Sequence, residues 1–237
     1  MKNNKTEQYH LLTNNRFWIL VFSGFLSLLM FFSVWTLVPE GGDLRTIRLQ
    51  QLYGFTGLAF LYFAVLATPL TKAFPNLTGK DTYLHSRRAL GVSAFYFSML
   101  HALVAFFAQL GAFSGIGYLG DRYQLSLALG ATTLLILILM AATSFDKVID
   151  KMGFQRWKKL HRLIYIGSLA VLIHVAMIGT HYAYGSTIAS RITLAAVLIL
   201  LLLEAVRVDA LLKKRFKTLR HFGVASMAIM HIIFLGF

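Results

Sequence analysis

The chain has 237 residues, of which 57% are hydrophobic and only 14% are charged, and its formal net charge is +14. A soluble domain carries about 25% charged residues, so this composition and its long apolar runs predict an all-α, polytopic membrane helical bundle. In such a protein the positive charge indicates basic loops at a lipid surface rather than binding of nucleic acid. Cysteine is absent, which excludes disulfides, iron–sulfur clusters and thiol redox chemistry.

Six apolar runs of membrane-spanning length follow one another, separated by short loops rich in Gly, Pro, Asp and charged residues. They cover roughly residues 17–38, 51–69, 88–109, 124–145, 160–182 and 188–206. We expect residues 1–220 to form one six-helix transmembrane domain with its core at 50–180. Residues 221–237 are apolar but short, and we expect a short helix that spans, re-enters or lies on the membrane.

The distribution of Lys and Arg predicts the orientation of the bundle. The N-terminus, the loops after spans two and four and the segment after span six carry nineteen of these residues, whereas the opposite loops carry four. Because cytoplasmic loops collect Lys and Arg, we expect the N-terminus to be cytoplasmic. No small-residue cleavage site follows the first apolar run, so we interpret it as a retained span. The expected location is a bacterial inner membrane.

Two histidines lie within spans, where ionisable residues usually mark functional sites. His101 follows Arg88 by 13 residues on span three, and His174 follows His161 by 13 residues on span five. At about 1.5 Å per residue both imidazoles lie about 20 Å from the cytoplasmic ends of their spans. Two imidazoles at one depth on two helices suit the axial ligation of a haem iron. Hydrogen-bonded packing is the alternative, and zinc would need more ligands.

A second group of candidates lies at the cytoplasmic ends of spans three and five. Thirteen residues turn a straight helix by about 140°, so His161 does not share a face with His174 unless span five is distorted. His161 therefore marks either a second haem or another cofactor. At its level span three carries Arg87 and Arg88, which can pair with haem propionates, a quinone or a flavin phosphate. Orientation and lipid headgroup binding are the alternative for these arginines. His85 is close to the level of a second axial ligand but overshoots it.

Other polar and aromatic residues near the span ends have plainer interpretations. His181 fits the membrane interface, and so does Trp157, which resembles the other tryptophans at span ends. Glu204 is an acidic residue in the sixth span, and it either pairs with Arg207 or Arg191 or marks a proton route.

Three stretches of the chain resemble a known family. They read "TGLAFLYFAVLATPLTKAF", "RRALGVSAFYFSMLH" and "LMAATSFDKVIDKMGFQRWKKLHRLIYIGSLAVLIH". They are similar to the ferric-reductase-like transmembrane domain, and within it to the haem-binding membrane subunits of periplasmic methionine-sulfoxide reductase systems. The resemblance covers about residues 53–177. The basic and apolar segment that ends the chain departs from the short members of that family.

The resemblance implies a b-type haem protein that passes electrons across a membrane. In that family the histidines matching His101 and His174 ligate haem, and the one matching His161 is implicated in cofactor binding near the cytoplasmic side. The arginine pair matching Arg87 and Arg88 is a family feature. Electrons are expected from quinol or a cytosolic flavoprotein, with quinone or FMN as a further cofactor, and they go to a periplasmic reductase partner.

Two other functions stay open from the sequence alone. One is a transmembrane reductase of ferric or other metal chelates that works without a protein partner. The other is a haem-free helical scaffold or transporter whose histidines only form hydrogen bonds. Transport is disfavoured because the sequence shows no internal repeat and no pair of broken spans.

Overall fold

The fold is taken from a computed structural model that describes residues 2–41, 43–179 and 187–215, with side chains described from residue 15 to residue 209 of these ranges. The regular elements in these residues are helices. They are α1 (Lys2–Leu37), α2 (Leu44–Ala73), α3 (Lys80–Val104), a π-helical turn (Ala105–Gln109), a 3₁₀ segment (Ala112–Tyr118), α4 (Asp121–Ala142), α5 (Asp146–Met152), α6 (Phe154–His161), α7 (Ile164–Ile178) and α8 (Ile188–Arg215).

Six helical stretches of the described chain are long and apolar enough to cross a membrane, which confirms the predicted polytopic all-α bundle. They are Asn15–Leu37, Leu44–Ala73, Lys80–Gln109, Asp121–Ala142, Phe154–Ile178 and Ile188–Asp209. Spans two, three and five begin six to eight residues before the predicted apolar runs. Helical hydrogen bonding continues into charged flanking residues, which a search for apolar runs leaves out.

The third helix is central, because α3 packs against α1, α2 and α4, while α4 packs against α7 and α2 packs against α8. Phe97 of α3 is fully buried in one core cluster with Val34, Leu49 and Tyr53. Polar contacts also join the helices, since the hydroxyls of Ser23 and Ser93 lie 2.8 Å apart between α1 and α3. Small hydroxylated residues allow such close helix contacts within a membrane.

The fifth span is broken, which alters the phase expected for a straight helix. Between α6 and α7 the amides of Arg162 and Leu163 donate to carbonyls three residues back, at 3.2 and 3.0 Å. Hydrogen bonds of this 3₁₀ type tighten the turn and change the direction of the side chains beyond it. The angle expected between His161 and His174 on one continuous helix therefore does not apply.

Two predictions lie outside the described residues, namely the interfacial position of His181 and the short apolar helix at 221–237.

Candidate functional site

His101 and His174 face each other inside the bundle. His101 stands near the end of α3 and His174 near the end of α7, and their ring centroids are 6.4 Å apart with the ring planes at 89°. The two residues lie 73 positions apart in the chain and on different helices. The structure thus brings together the two imidazoles that the sequence placed at one depth.

The ring of His101 is anchored on the backbone of α2. Its Nδ1 lies 2.9 Å from the carbonyl oxygen of Gln50. Four residues further along α2 is Gly54, where an added Cβ would come within 2.8 Å of His101 Nδ1. Glycine at this position therefore provides the space that the ring occupies.

The ring of His174 is anchored in the same manner on α4. Its Nδ1 lies 2.7 Å from the carbonyl oxygen of Ser126, and four residues further on is Gly130. A Cβ at Gly130 would lie 3.1 Å from both Cε1 and Nδ1 of His174. Ser126 adds a second contact, because its hydroxyl lies 3.0 Å from Nδ1 and donates to the His174 carbonyl at 3.2 Å.

These two matching anchors determine which ring nitrogen is available. A carbonyl oxygen only accepts hydrogen bonds, so Nδ1 of each ring carries the proton and Nε2 keeps its lone pair. A ligating histidine typically donates its other N–H to a carbonyl or carboxylate, which orients the ring. The arrangement of His101 and His174 is therefore that of two prepared imidazole ligands.

The donor set fits a metal held between two axial imidazoles, as in a haem. A metal bound through Nε2 at about 2.0–2.1 Å lies about 3 Å from the ring centroid, so two rings on opposite sides are about 6 Å apart. The observed centroid separation is 6.4 Å. Within the described residues no group of three or more His, Asp or Glu is placed to hold a bare metal ion. Haem supplies the other four iron ligands itself, so it needs only two from the protein.

A cavity of about 240 Å³ lies at the other end of the same helices, where α2 and α4 end and where α3 and α7 begin. We call it the basic cavity. Its ionisable lining residues are Arg16, His85, Arg87, Arg88, Tyr165 and His161, and its apolar lining includes Leu61, Leu137 and Ile164. All four of the cytoplasmic-side candidates named from the sequence thus line one cavity.

Two arginines of α3 are tied to neighbouring elements around the basic cavity. Arg87 donates from Nη1 to the hydroxyl of Thr68 on α2 at 2.6 Å. Arg88 forms an ion pair and hydrogen bond with Asp146 at the start of α5. Asp146 neutralises one of the cationic groups, and the remaining guanidinium groups give the cavity a positive potential.

The N-terminal helix and His85 complete this side of the cavity. Arg16 of α1 donates from Nε to the carbonyl oxygen of His85 at 3.2 Å. The His85 ring lies with Nδ1 2.7 Å from the carbonyl oxygen of Asp81. That carbonyl accepts the Nδ1 proton, so the Nε2 lone pair of His85 is the nitrogen left for a ligand.

His161 is held by α4 and by an aromatic neighbour. Its Nε2 lies 3.1 Å from the Thr143 hydroxyl, which donates its own proton to the Leu139 carbonyl at 2.8 Å. His161 therefore donates from Nε2–H, and Nδ1 keeps its lone pair. Trp157 covers the ring at a centroid distance of 4.1 Å. Because Trp157 is buried and donates to the Thr143 carbonyl at 3.1 Å, its predicted place in an interfacial aromatic belt is wrong.

The Arg88–Asp146 pair predicts a small pH-dependent stability. The hydrogen bond from Arg88 holds the pKa of the Asp146 carboxyl below its ordinary value of 3.8. A carboxyl with a lowered folded-state pKa stabilises the fold above its unfolded pKa, and this contribution is lost as pH falls through the folded-state value. Asp146 is largely exposed, so we expect Asp146→Asn to cost about 0–1 kcal/mol at neutral pH. Thermal unfolding of both proteins should converge below about pH 4. A difference that grows in acid would contradict the ion pair.

Sequence reasoning missed the residues that orient the site. Gly54 and Gly130 carried a weak signal, since glycine within an apolar span often marks a close helix contact. The carbonyls of Gln50 and Ser126 carried none, because every residue has one. Thr143 lies 18 positions from His161, and nothing in the spacing pairs them.

The comparisons with known proteins agree with this geometry. The family described as ferric reductase like transmembrane component matches residues 53–173, a range that includes both His101 and the beginning of α7. Proteins named "Protein-methionine-sulfoxide reductase heme-binding subunit MsrQ" from Brucella ovis, Brucella canis and Brucella suis are each 30% identical to the chain over 163 residues. That alignment covers 68% of this chain and 70% of each relative. The chain belongs to the ferric-reductase-like transmembrane component family.

Proposed function

We propose that this protein is a membrane electron-transfer subunit that binds one haem b between His101 and His174. The observation that carries the proposal is the pair of matching anchors, which leave the Nε2 lone pairs of two neighbouring imidazoles free. The names of the MsrQ relatives, which are haem-binding subunits, support the choice of haem over another metal group. A haem-free scaffold would gain nothing from two glycines that clear space for two anchored rings.

The residues of the chain would bind the haem and orient its ligands. Nε2 of each histidine would ligate the iron, while the Gln50 and Ser126 carbonyls hold the two rings in place. The bound haem supplies one-electron redox chemistry. The hydrogen bonds at Nδ1 raise the basicity of each imidazole and thereby influence the potential of the iron.

We propose that the basic cavity receives the electron donor. Its arginines suit the anionic groups of FMN or the polar head of a quinol, and His161 offers a lone pair at Nδ1. The distribution of Lys and Arg places this end of the bundle at the cytoplasmic face of a bacterial inner membrane. Electrons would therefore enter from a cytosolic flavoprotein or from quinol in the membrane.

The acceptor would lie at the opposite face, near the ends of α3 and α7. The relatives are named as subunits of a protein-methionine-sulfoxide reductase, which supports a reductase partner outside the membrane. The family description supports a second candidate, which is direct reduction of ferric chelates without a partner. Turnover of purified protein with ferric citrate alone distinguishes the two, because the subunit proposal predicts none above the rate without protein.

Replacement of His161 tests the separation of the two sites. We expect His161→Ala to keep the haem held by His101 and His174, but to slow haem reduction by a cytoplasmic-side donor about tenfold. Thr143→Val should act in the same direction and more weakly, because it removes the acceptor of the His161 Nε2–H. The measurements are haem per chain and stopped-flow reduction by durohydroquinone and by reduced FMN.

Thr132→Val is the matched control for Thr143→Val. Thr132 also lies on α4 and donates to a backbone carbonyl, that of Ala128 at 2.8 Å, but it does not line the cavity. Loss of half of the haem in His161→Ala would contradict the single-haem proposal and place a second haem at His161.

A further inference from the structure

The last helix is anchored to the bundle by a charged residue. Among the described side chains of α8, Glu204 is the buried one, with 6% of its surface exposed, whereas Leu198 and Leu202 are more than half exposed. A carboxylate buried within an apolar helix is costly and in membrane proteins usually serves a function. The position of Glu204 therefore calls for a partner and a role.

Glu204 is paired with Arg207, and the pair reaches the basic cavity through Tyr165. Arg207 Nε lies 2.7 Å from Glu204 Oε2, one turn away on α8. Arg207 also donates from Nη2 to the hydroxyl oxygen of Tyr165 on α7 at 3.2 Å. Tyr165 is one of the residues that line the cavity.

The chemistry of these groups determines what Tyr165 can offer. A guanidinium only donates hydrogen bonds, so the Tyr165 oxygen accepts and its O–H proton is directed elsewhere. Within the described part of the chain no acceptor takes this proton. An acceptor on a molecule in the cavity would complete the set. A proton route through this pair is disfavoured, because Arg207 does not give up its proton in a protein.

Glu204 also has an electrostatic role at this position. Arg207 would otherwise add another cation to a cavity already lined by Arg16, Arg87 and Arg88. Pairing with the Glu204 carboxylate neutralises that charge and holds the guanidinium where it can reach Tyr165. A buried pair of this kind is poor evidence of stabilisation, but it fixes geometry well.

We propose that Tyr165 is a ligand-binding residue that donates its O–H to a ring carbonyl of the redox molecule in the basic cavity. Arg207 and Glu204 are the positioning residues that orient it. Quinones and isoalloxazines both carry ring carbonyls, so the chemistry is shared by both proposed donors. The inference rests on the proposed role of the cavity as the donor site, and it adds a residue set on α7 and α8 to that site.

The test is stopped-flow reduction of the haem in full-length protein, with durohydroquinone in one arm and reduced FMN in the other. Tyr165→Phe should raise the half-saturating concentration of the probe that reduces the protein about three- to tenfold, with a smaller change in the limiting rate. Glu204→Gln should act in the same direction, and Arg207→Lys should restore part of the effect that Arg207→Gln produces. The double variant Tyr165→Phe/Glu204→Gln should be no worse than the more affected single variant, because both changes remove one contact.

Tyr83→Phe is the matched control, since its hydroxyl donates to the Phe63 carbonyl at 2.7 Å and it does not line the cavity. An unchanged half-saturating concentration in Tyr165→Phe would overturn the inference, as would multiplicative effects in the double variant. Reduction of the haem by neither probe would also overturn it. A wild-type protein without haem would instead overturn the proposed function, so the two failures are distinguishable.

Discussion

Replacing either His101 or His174 with alanine is expected to abolish stable haem binding. Each residue supplies one of two axial nitrogens, and the rings face each other at 6.4 Å with no third imidazole described beside them. Alanine removes the ligand and leaves a cavity that a neighbouring apolar side chain cannot replace as a ligand. Haem per chain, measured by absorbance on purified protein, should fall by about tenfold or more in each variant.

His85→Ala is the control for this pair of variants. His85 is exposed and lines the basic cavity, away from the two facing rings, so its loss should leave the haem content unchanged. Full haem retention in both His101→Ala and His174→Ala would contradict the assignment of the ligands.

The second large effect is expected from the two glycines beside the rings. In Gly54→Ala the new Cβ would lie 2.8 Å from His101 Nδ1, a contact too short for the ring to keep its place. The ring must move, and its hydrogen bond to the Gln50 carbonyl is then lost. In Gly130→Ala the closest contacts are 3.1 Å, so a shift of a few tenths of an ångström suffices. Haem content should therefore fall strongly in Gly54→Ala and less in Gly130→Ala, with an altered reduction potential in any haem that remains.

Gly24→Ala is the matched control, since Gly24 lies in α1 with nothing within 4 Å of an added Cβ. Alanine there should be neutral or should stabilise the helix by up to about 1 kcal/mol. Equal haem contents in Gly24→Ala, Gly54→Ala and Gly130→Ala would show that the two glycines do not form part of the haem site.

The sequence predicted the large-scale features because hydrophobicity and helix length carry them. Six apolar runs gave the six spans, and equal offsets of 13 residues from Arg88 and His161 placed His101 and His174 at one depth. Depth along a helix follows from the rise per residue, and it does not depend on how the helices pack.

The finer features depend on packing between helices that are distant in sequence. The pairing of His101 with the Gln50 carbonyl joins residues 51 positions apart, and a backbone carbonyl leaves no trace in residue identity. The break between His161 and Ile164 contains neither proline nor glycine, so the usual signals of a kink were absent. A straight helix was therefore the natural expectation, and it gave the wrong phase for His161. Trp157 was likewise assigned to the interface because burial against a histidine cannot be read from one span.

The reduced-minus-oxidised absorbance spectrum of the purified wild-type protein, with the haem quantified per chain, tests the central claim most directly. The two anchored imidazoles predict a b-type spectrum and one haem for each chain. A protein that folds in the membrane but shows no haem absorbance would contradict the account, because the geometry at His101 and His174 would then have no iron to hold.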